Sequence, residues 1–483
     1  MKSMKHDIAV RFVKLLNVVL MAALFAACWY GYYAEYIVAP FYKRGNWLMI
    51  ALFVVLYIIF ARIYDAFLLT LSRISEMVYS QVLAAFVSDG IMFIVIWLLM
   101  QHFPNLLPGL ATLAVQIVLA AIWAVLAHKW YFATFPPKQS IIVYDTREGM
   151  EKLIDEYGLE KRFTIRQIMQ IDVCLNDLTV LHDMDAVFLS GIHSHDRNII
   201  LKYCIEHNIS IYMIPRIGDV LMSGAKKMHM FHLPMLRAGR YNPAPEYLFI
   251  KRVFDMVISC AAIVVLSPIM LITAIAIKGA DGGPVFYKQL RLTKDGREFY
   301  ITKFRSMRVD AEKDGVARLS TGENDDRITP VGHIIRKCRV DELPQLFQIA
   351  SGTLSIVGPR PERPEIAAKY EEEMPEFRLR LQAKAGLTGY AQVYGKYNTT
   401  PYDKLQMDLM YIANPSIWED LKIMFATVKI LFMPESTEGV ASGQTTAMDD
   451  GKMQATMCCD NDETEAIETV AKDVEEMAGS VAE

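Results

Sequence analysis

Apolar and polar positions divide this chain into four blocks of different character. In the first block, four runs at 12–30, 47–63, 82–100 and 110–127 are almost wholly apolar, each near the ~20 residues a helix needs to cross a hydrocarbon core. They predict a four-helix transmembrane bundle over 1–130. Lys2, Lys5, Arg11 and Lys14 flank the first run, Arg62 and Arg73 follow the second, and His128 and Lys129 follow the fourth, whereas the other loops carry only Lys43 and Arg44. That asymmetry places the N-terminus and everything after the fourth run on the cytoplasmic side. No convincing small-residue cleavage site follows the first run, so it reads as an uncleaved anchor.

The second block, 138–238, carries short β-branched or aromatic runs at 141–144, 186–189 and 209–214, separated by polar helix-like stretches such as 196–208. This predicts a small Rossmann-like βαβ domain. Its first strand ends in Tyr144-Asp145-Thr146-Arg147-Glu148-Gly149, with one glycine where a dinucleotide fold has three for close approach to a pyrophosphate. A spacer, dimerisation or regulatory role is expected, with a nucleotide pocket of another design as the alternative. His193/His195 and His229/His232 are spaced like ligand pairs but have no third ligand in view.

A third block, 249–434, opens with 25 apolar residues, 253–277, interrupted by Ser267-Pro268 and bracketed by Lys251-Arg252 and Lys278. Basic flanks on both sides and a mid-helix proline favour a re-entrant helix-break-helix returning to the same face, ahead of a cytoplasmic α/β domain. The alternative is a fifth crossing with a kink, which would place all that follows on the far side. The fourth block, 435–483, is acidic, lacks aromatic residues and has the composition of a disordered or weakly helical tail.

Composition sharpens this picture of a membrane α plus α/β protein. Mean hydropathy is +0.22 and 53% of residues are hydrophobic, above a soluble average. The net charge of −4 hides a tail of −11 and a remainder of +7, a balance suited to phosphate substrates or an anionic membrane surface. Seven scattered cysteines without a C-x-x-C pair argue against a disulfide framework or a structural zinc site.

Chemistry concentrates at Arg336-Lys337-Cys338-Arg339-Val340-Asp341-Glu342-Leu343-Pro344. Proline is tolerated in a helix only in its first turn, so a helix is expected to begin near Asp341, with both carboxylates at its positive end. An ionised Asp341 there is a candidate nucleophile toward phosphorus, and Glu342 a candidate ligand for magnesium. Simple N-capping by Asp341, with Glu342 at the surface, accounts for the same residues. The surroundings favour chemistry: Lys303-Phe304-Arg305-Ser306-Met307, Asp326-Arg327-Ile328-Thr329 and Gly358-Pro359-Arg360-Pro361-Glu362 each gather cations. Arg360 is held between two prolines that restrict its backbone.

With these residues in view, 1–434 resembles the bacterial sugar transferase family, in its large form as a monotopic phosphoglycosyl transferase. The resemblance rests on Lys251-Arg252 with Asp255, Ser267-Pro268, Gly283-Pro284-Val285, Gln289 with Arg291, Lys303 to Met307, Arg327 with Thr329 and Gly332, Asp341 to Gln345, Val357 to Pro361, and Gly386 to Gln392. It implies transfer of a sugar 1-phosphate from a UDP-sugar to undecaprenyl phosphate, with UMP released. It further implies Mg2+ as cofactor, a covalent phosphosugar on Asp341 and Glu342 on the metal side. Lys303, Arg305, Arg327, Arg336, Pro359, Arg360 and Pro361 would serve phosphate or nucleotide, and Ser267-Pro268 would break the membrane helix. A place in the bacterial inner membrane, a homodimer, contact with membrane lipids, no nucleic-acid partner, and the first step of exopolysaccharide, capsule or O-antigen synthesis are likewise implied. The competing class is a catalytically weak scaffold for polysaccharide assembly. Three positions depart from the family pattern: Thr293 in place of Gly, Thr353 in place of Asp, and Ala385 in place of Pro.

Overall fold

The computed structural model describes residues 2–42, 44–70, 72–146, 149–308, 327–395 and 399–431. Lys43, Arg147, Glu148, Asp326 and the acidic segment 435–483 lie outside them. The described residues form two compact units, one within 1–140, 150–167 and 183–186, the other of the remaining described residues.

Four long helices dominate the first unit: α1 (Lys2–Cys28), α2 (Arg44–Ile63), α3 (Ile74–Met100) and α4 (Leu106–Thr134). α1 packs on α2 and α4, while α3 packs on α2 and α4. Their apolar surfaces face outward as well as inward, with Leu98, Leu107 and Leu126 more than 60% exposed. Such surfaces suit a hydrocarbon solvent, in which helices associate through packing and buried polar contacts. A buried chain of that kind joins three elements: Tyr57 Oη donates to Asn17 Oδ1 at 2.9 Å, Asn17 Nδ2 donates to Gln81 Oε1 at 3.1 Å, and Gln81 Nε2 reaches the Ala66 carbonyl at 3.3 Å.

A four-stranded sheet follows, with strands β1 (Lys138–Tyr144), β2 (Phe163–Gln170), β3 (Ala186–Ser190) and β4 (Ser210–Met213) in the order β2-β1-β3-β4. β1 and β3 are the apolar, buried strands that the pattern predicts. β2 is an addition: it sits at the sheet edge and leaves Thr164, Arg166 and Gln167 exposed. A second addition is the antiparallel hairpin Lys226–Met230 with Leu233–Arg237, turned by Phe231 and His232 at positive φ.

The helix Pro245–Asp281 organises the second unit. Ser267-Pro268 does not interrupt it, contrary to the helix-break-helix expectation. Proline at 268 removes the N–H that would bond the carbonyl of residue 264, and the Ser267 hydroxyl donates to that carbonyl at 2.8 Å. One face carries Ile258, Ala262, Leu266, Met270 and Ile277, which pack against the α/β core. The other presents Val257, Val264, Val265, Leu271, Ile272 and Ile275 to the outside. Among the described residues, five helices are thus long and apolar enough to cross a membrane, this one included, and the whole fits a membrane α plus α/β protein.

Polar groups on the same helix fix the α/β core. Arg252 donates to the carbonyls of Ile349 and Ala350 at 2.7 and 2.6 Å, closing the C-terminal end of the short helix Gln345–Ser351. Buried Asp255 accepts from Ser355 Oγ at 2.7 Å and from the Ile356 N–H at 3.1 Å, holding the strand Ser355–Val357. That strand pairs in parallel with Gly386–Thr388. A separate antiparallel hairpin, Phe286–Leu292 with Glu298–Phe304, packs beside it.

Candidate active site

Asp341 and Glu342 occupy a single 3-10 turn, Val340–Glu342. The helix Pro330–Lys337 leads into it, started by Thr329, whose hydroxyl accepts from the Gly332 N–H at 3.0 Å. Arg339 then adopts a left-handed backbone (φ 56°) and turns the chain so that Asp341 points inward and is buried. Pro344 caps the next helix, which begins only at Gln345. The expectation of a helix starting near Asp341 is therefore corrected: the dyad lies one turn ahead of the helix, and side-chain cations supply its positive field.

Lys303, next to the end of the Glu298–Phe304 strand, donates from Nζ to Glu342 Oε1 at 2.7 Å. Arg360 Nη2 approaches the same oxygen at 3.8 Å. Burial works against the charge on Glu342, yet Lys303 and Arg360 together hold its carboxyl well below the usual carboxylate range. Asp341 moves the opposite way. Burial raises its pKa against the pull of Lys303, the neighbouring Glu342 charge adds to the rise, and Arg336 and Arg339 lower it. Its Oδ1 is buried with no hydrogen-bond partner among the described residues. The two carboxyls are thus pushed apart, one pinned as an anion and the other left with a buried, unpaired oxygen.

The Pro359-Arg360-Pro361 segment is held by its backbone. Gly358 donates its N–H to the Thr388 carbonyl at 2.9 Å, and Gly386 donates to the Pro359 carbonyl at 2.9 Å. A Cβ at Gly358 would collide with the Lys384 carbonyl, and Gly386 and Gly389 crowd Gly358 in the same way. Only glycine permits this crossing. Two arginines, to which the sequence reading gave no such role, complete the support. Arg291 donates to the Pro361 carbonyl at 2.9 Å, and buried Arg380 donates to the Arg360 carbonyl at 2.9 Å while gripping Asp408 at 2.6 and 3.0 Å. Nothing in the local pattern of 378–382 announces a partner 28 residues away.

The remaining expected residues sit around this centre. Arg305 is buried, with its guanidinium packed on Gly283 at the end of the long helix, where a side chain would collide with it. Arg327 lies opposite the 307–308 segment, its carbonyl accepting from Arg308 N at 2.9 Å. Arg336 is near enough to act on Asp341 through its charge, and Ser267-Pro268 lie on the long helix. Two of the three departures from the family pattern meet: Thr293 Oγ1 accepts from the Ala385 N–H at 3.2 Å, a bond that glycine and proline at those positions cannot form. Both line one small hollow with Pro359 and Arg360.

Among the described residues no three His, Cys, Asp or Glu side chains gather as a metal site. Two carboxylates nevertheless suit Mg2+, which keeps waters and substrate phosphates as its other ligands, and the unpaired buried Asp341 oxygen is consistent with a hard cation. A buried carboxylate beside ammonium and guanidinium groups can, once ionised, attack phosphorus in an anionic phosphate.

A family model described as bacterial sugar transferase matches residues 246–434, the segment just described. The "Exopolysaccharide production protein PSS" of Rhizobium leguminosarum bv. phaseoli is 41% identical over 190 residues, 38% of this chain and 94% of that protein. The chain belongs to the bacterial sugar transferase family. Among other members, the UDP-galactose-lipid carrier transferase of Erwinia amylovora is 31% identical over 61% of this chain and 68% of its own length. The UDP-N-acetylgalactosamine-undecaprenyl-phosphate N-acetylgalactosaminephosphotransferase of Aeromonas hydrophila is 38% identical over 48% of this chain. Of that transferase the chain spans 54%, so the shared stretch is about half of a family member's length.

Proposed function

We propose that this bacterial sugar transferase moves a sugar 1-phosphate from a UDP-sugar to undecaprenyl phosphate and releases UMP, as the first step of building an exopolysaccharide, capsule or O-antigen. The observation that carries this reading is the divided dyad: Asp341 with a bare buried oxygen beside Glu342 held by Lys303 and Arg360. An Asp341 oxygen attacks the sugar-bearing phosphorus, the bond from that phosphorus to the bridging oxygen breaks, and UMP leaves with the bond's electrons. An oxygen of undecaprenyl phosphate then attacks the phosphorus now carried by Asp341, and the acyl phosphate bond breaks to restore the carboxylate. Mg2+ held by Glu342 would neutralise the diphosphate and make it more electrophilic. Lys303, Arg305, Arg327, Arg336 and Arg360 bind and orient phosphate or nucleotide, with Pro359 and Pro361 stiffening the presentation of Arg360.

The long helix serves this reaction as an anchor lying along the membrane face, and the soluble parts lie on the cytoplasmic side. Support comes from its protein-facing stripe, which runs from Ile258 to Ile277 against a single α/β core. A straight crossing would drag that core, with its irregular backbone, through hydrocarbon, where unsatisfied polar groups are too costly. A helix lying along the membrane face instead brings the lipid phosphate and the soluble nucleotide to one site. A homodimer is part of the same reading.

Purified full-length protein with Mg2+, undecaprenyl phosphate and a panel of UDP-sugars is expected to release UMP with one or a few donors, in ping-pong kinetics. Asp341→Asn is expected to abolish release. Turnover retained in that variant would overturn the nucleophile assignment.

A further inference from the structure

Two glutamines on the short helix Gln345–Ser351 use their side chains in different ways. Gln348 is bonded at both ends: its Oε1 accepts from the Thr302 N–H at 2.9 Å and its Nε2 donates to the Tyr300 carbonyl at 2.6 Å, which ties the helix to the strand carrying Lys303. Gln345 is only 2% exposed, yet its Nε2 has no hydrogen-bond partner among the described residues. A buried donor without an acceptor is destabilising, and such groups are rare enough in folded proteins that each calls for a reason.

The position of Gln345 supplies one. From the turn at Val340 the backbone stays helical through Leu343 and Pro344 into the helix. The buried residues Asp341, Gln345 and Ile349 therefore follow one another at intervals of four, the spacing of neighbours along a helix face. Along that run, Asp341 Oδ1 is likewise buried without a partner among the described residues. A donor and an acceptor thus stand bare one turn apart and are not bonded to each other. One kind of group satisfies both together: a phosphoryl group, whose phosphorus takes the carboxylate oxygen while a non-bridging oxygen takes the amide N–H. A fixed donor at that oxygen is worth most when negative charge builds on it during attack.

We propose that Gln345 is a further catalytic residue of the Asp341 centre, donating its Nε2–H to a non-bridging oxygen of the phosphorus that Asp341 attacks. This rests on the phosphosugar transfer proposed above, and since one phosphorus is attacked in both half-reactions, the contact serves both. The test uses full-length protein, undecaprenyl phosphate and a UDP-sugar that supports UMP release. Beside that donor stand its two thio analogues, with sulfur in place of one or the other non-bridging oxygen of the sugar-bearing phosphate. Gln345→Leu is expected to lower kcat roughly 10²–10³-fold with little change in KM, slowing both formation of the phosphosugar enzyme and its discharge to lipid in rapid quench. Its thermal midpoint is expected to hold or rise, because the bare amide is gone. In the wild type, one thio analogue is expected to react roughly tenfold more slowly than the parent donor, sulfur being a weak acceptor. That penalty is expected to be equal with Mg2+ and with thiophilic Cd2+, which would relieve a penalty arising at the metal, and to vanish in Gln345→Leu. Gln345→Met is read in parallel, so that a folding defect in one variant leaves the other to decide. No such penalty in the wild type, wild-type turnover in a folded variant, or a slow variant that keeps the penalty overturns the assignment of Gln345 and leaves the transfer reading standing. A wild type that releases no UMP with any donor overturns both.

Discussion

Asp341 carries opposed demands of stability and chemistry. With its pKa pushed up to about 6 by burial, the folded state favours the protonated carboxyl. The stabilising effect of that proton is fully present below the unfolded value near 4 and is lost as pH rises through about 6. Above that range the ionised group costs on the order of 3 kcal/mol. Asp341→Asn is therefore expected to raise the thermal midpoint at pH 8 and to leave it unchanged at pH 4, while removing turnover. In the proposed mechanism Asp341 must be ionised to attack, so formation of the phosphosugar enzyme, measured by rapid quench, is expected to fall as pH drops through about 6. Glu342, held low by Lys303 and Arg360, stays charged throughout that window. Thr293→Val should cost about 1 kcal/mol, because the Ala385 N–H loses its acceptor in a partly buried setting.

Elements differed in how clearly the sequence announced them. The apolar helices were legible because runs of that length outweigh local context, and β1 and β3 because both are buried and β-branched. β2 escaped notice since an edge strand with Thr164, Arg166 and Gln167 exposed reads as polar chain. The hairpin 226–237 escaped because it turns on Phe231-His232 rather than on Gly or Asn. In the site, adjacency exposed the dyad, but proline at 344 suggested a helix start that the 3-10 turn replaces. The Arg380–Asp408 pair had no periodic signature. It is nonetheless the main support of the Arg360 loop: Arg380→Met leaves Asp408 buried and unpaired, an expected loss of about 3–5 kcal/mol in chemical denaturation. Ser267→Ala leaves the Val264 carbonyl without its hydroxyl donor and should cost about 1 kcal/mol.

For the whole molecule, the decisive question is on which side of the bilayer the two ends of the long helix lie. In a cysteine-free background, single cysteines at Glu246 and Lys294 are both expected to be shielded from a membrane-impermeant maleimide in intact spheroplasts and labelled after lysis. Labelling of one before lysis would indicate a crossing. The pairing of Lys251 with Asp420 at 3.0 Å also bears on the order in which the molecule is made. The lysine leaves the ribosome 169 residues before the aspartate, a delay of roughly 8–34 s at ordinary elongation rates. Until residues 349–356, the partners of Arg252 and Asp255, have been made, the helix has no α/β core to lie against, and in the proposed orientation the cytoplasmic leaflet, with its own anionic headgroups, is the natural holding surface for Lys251 and Arg252. On the proposed function, the membrane then acts first as a chaperone for the nascent anchor and only afterwards as the store of the lipid substrate.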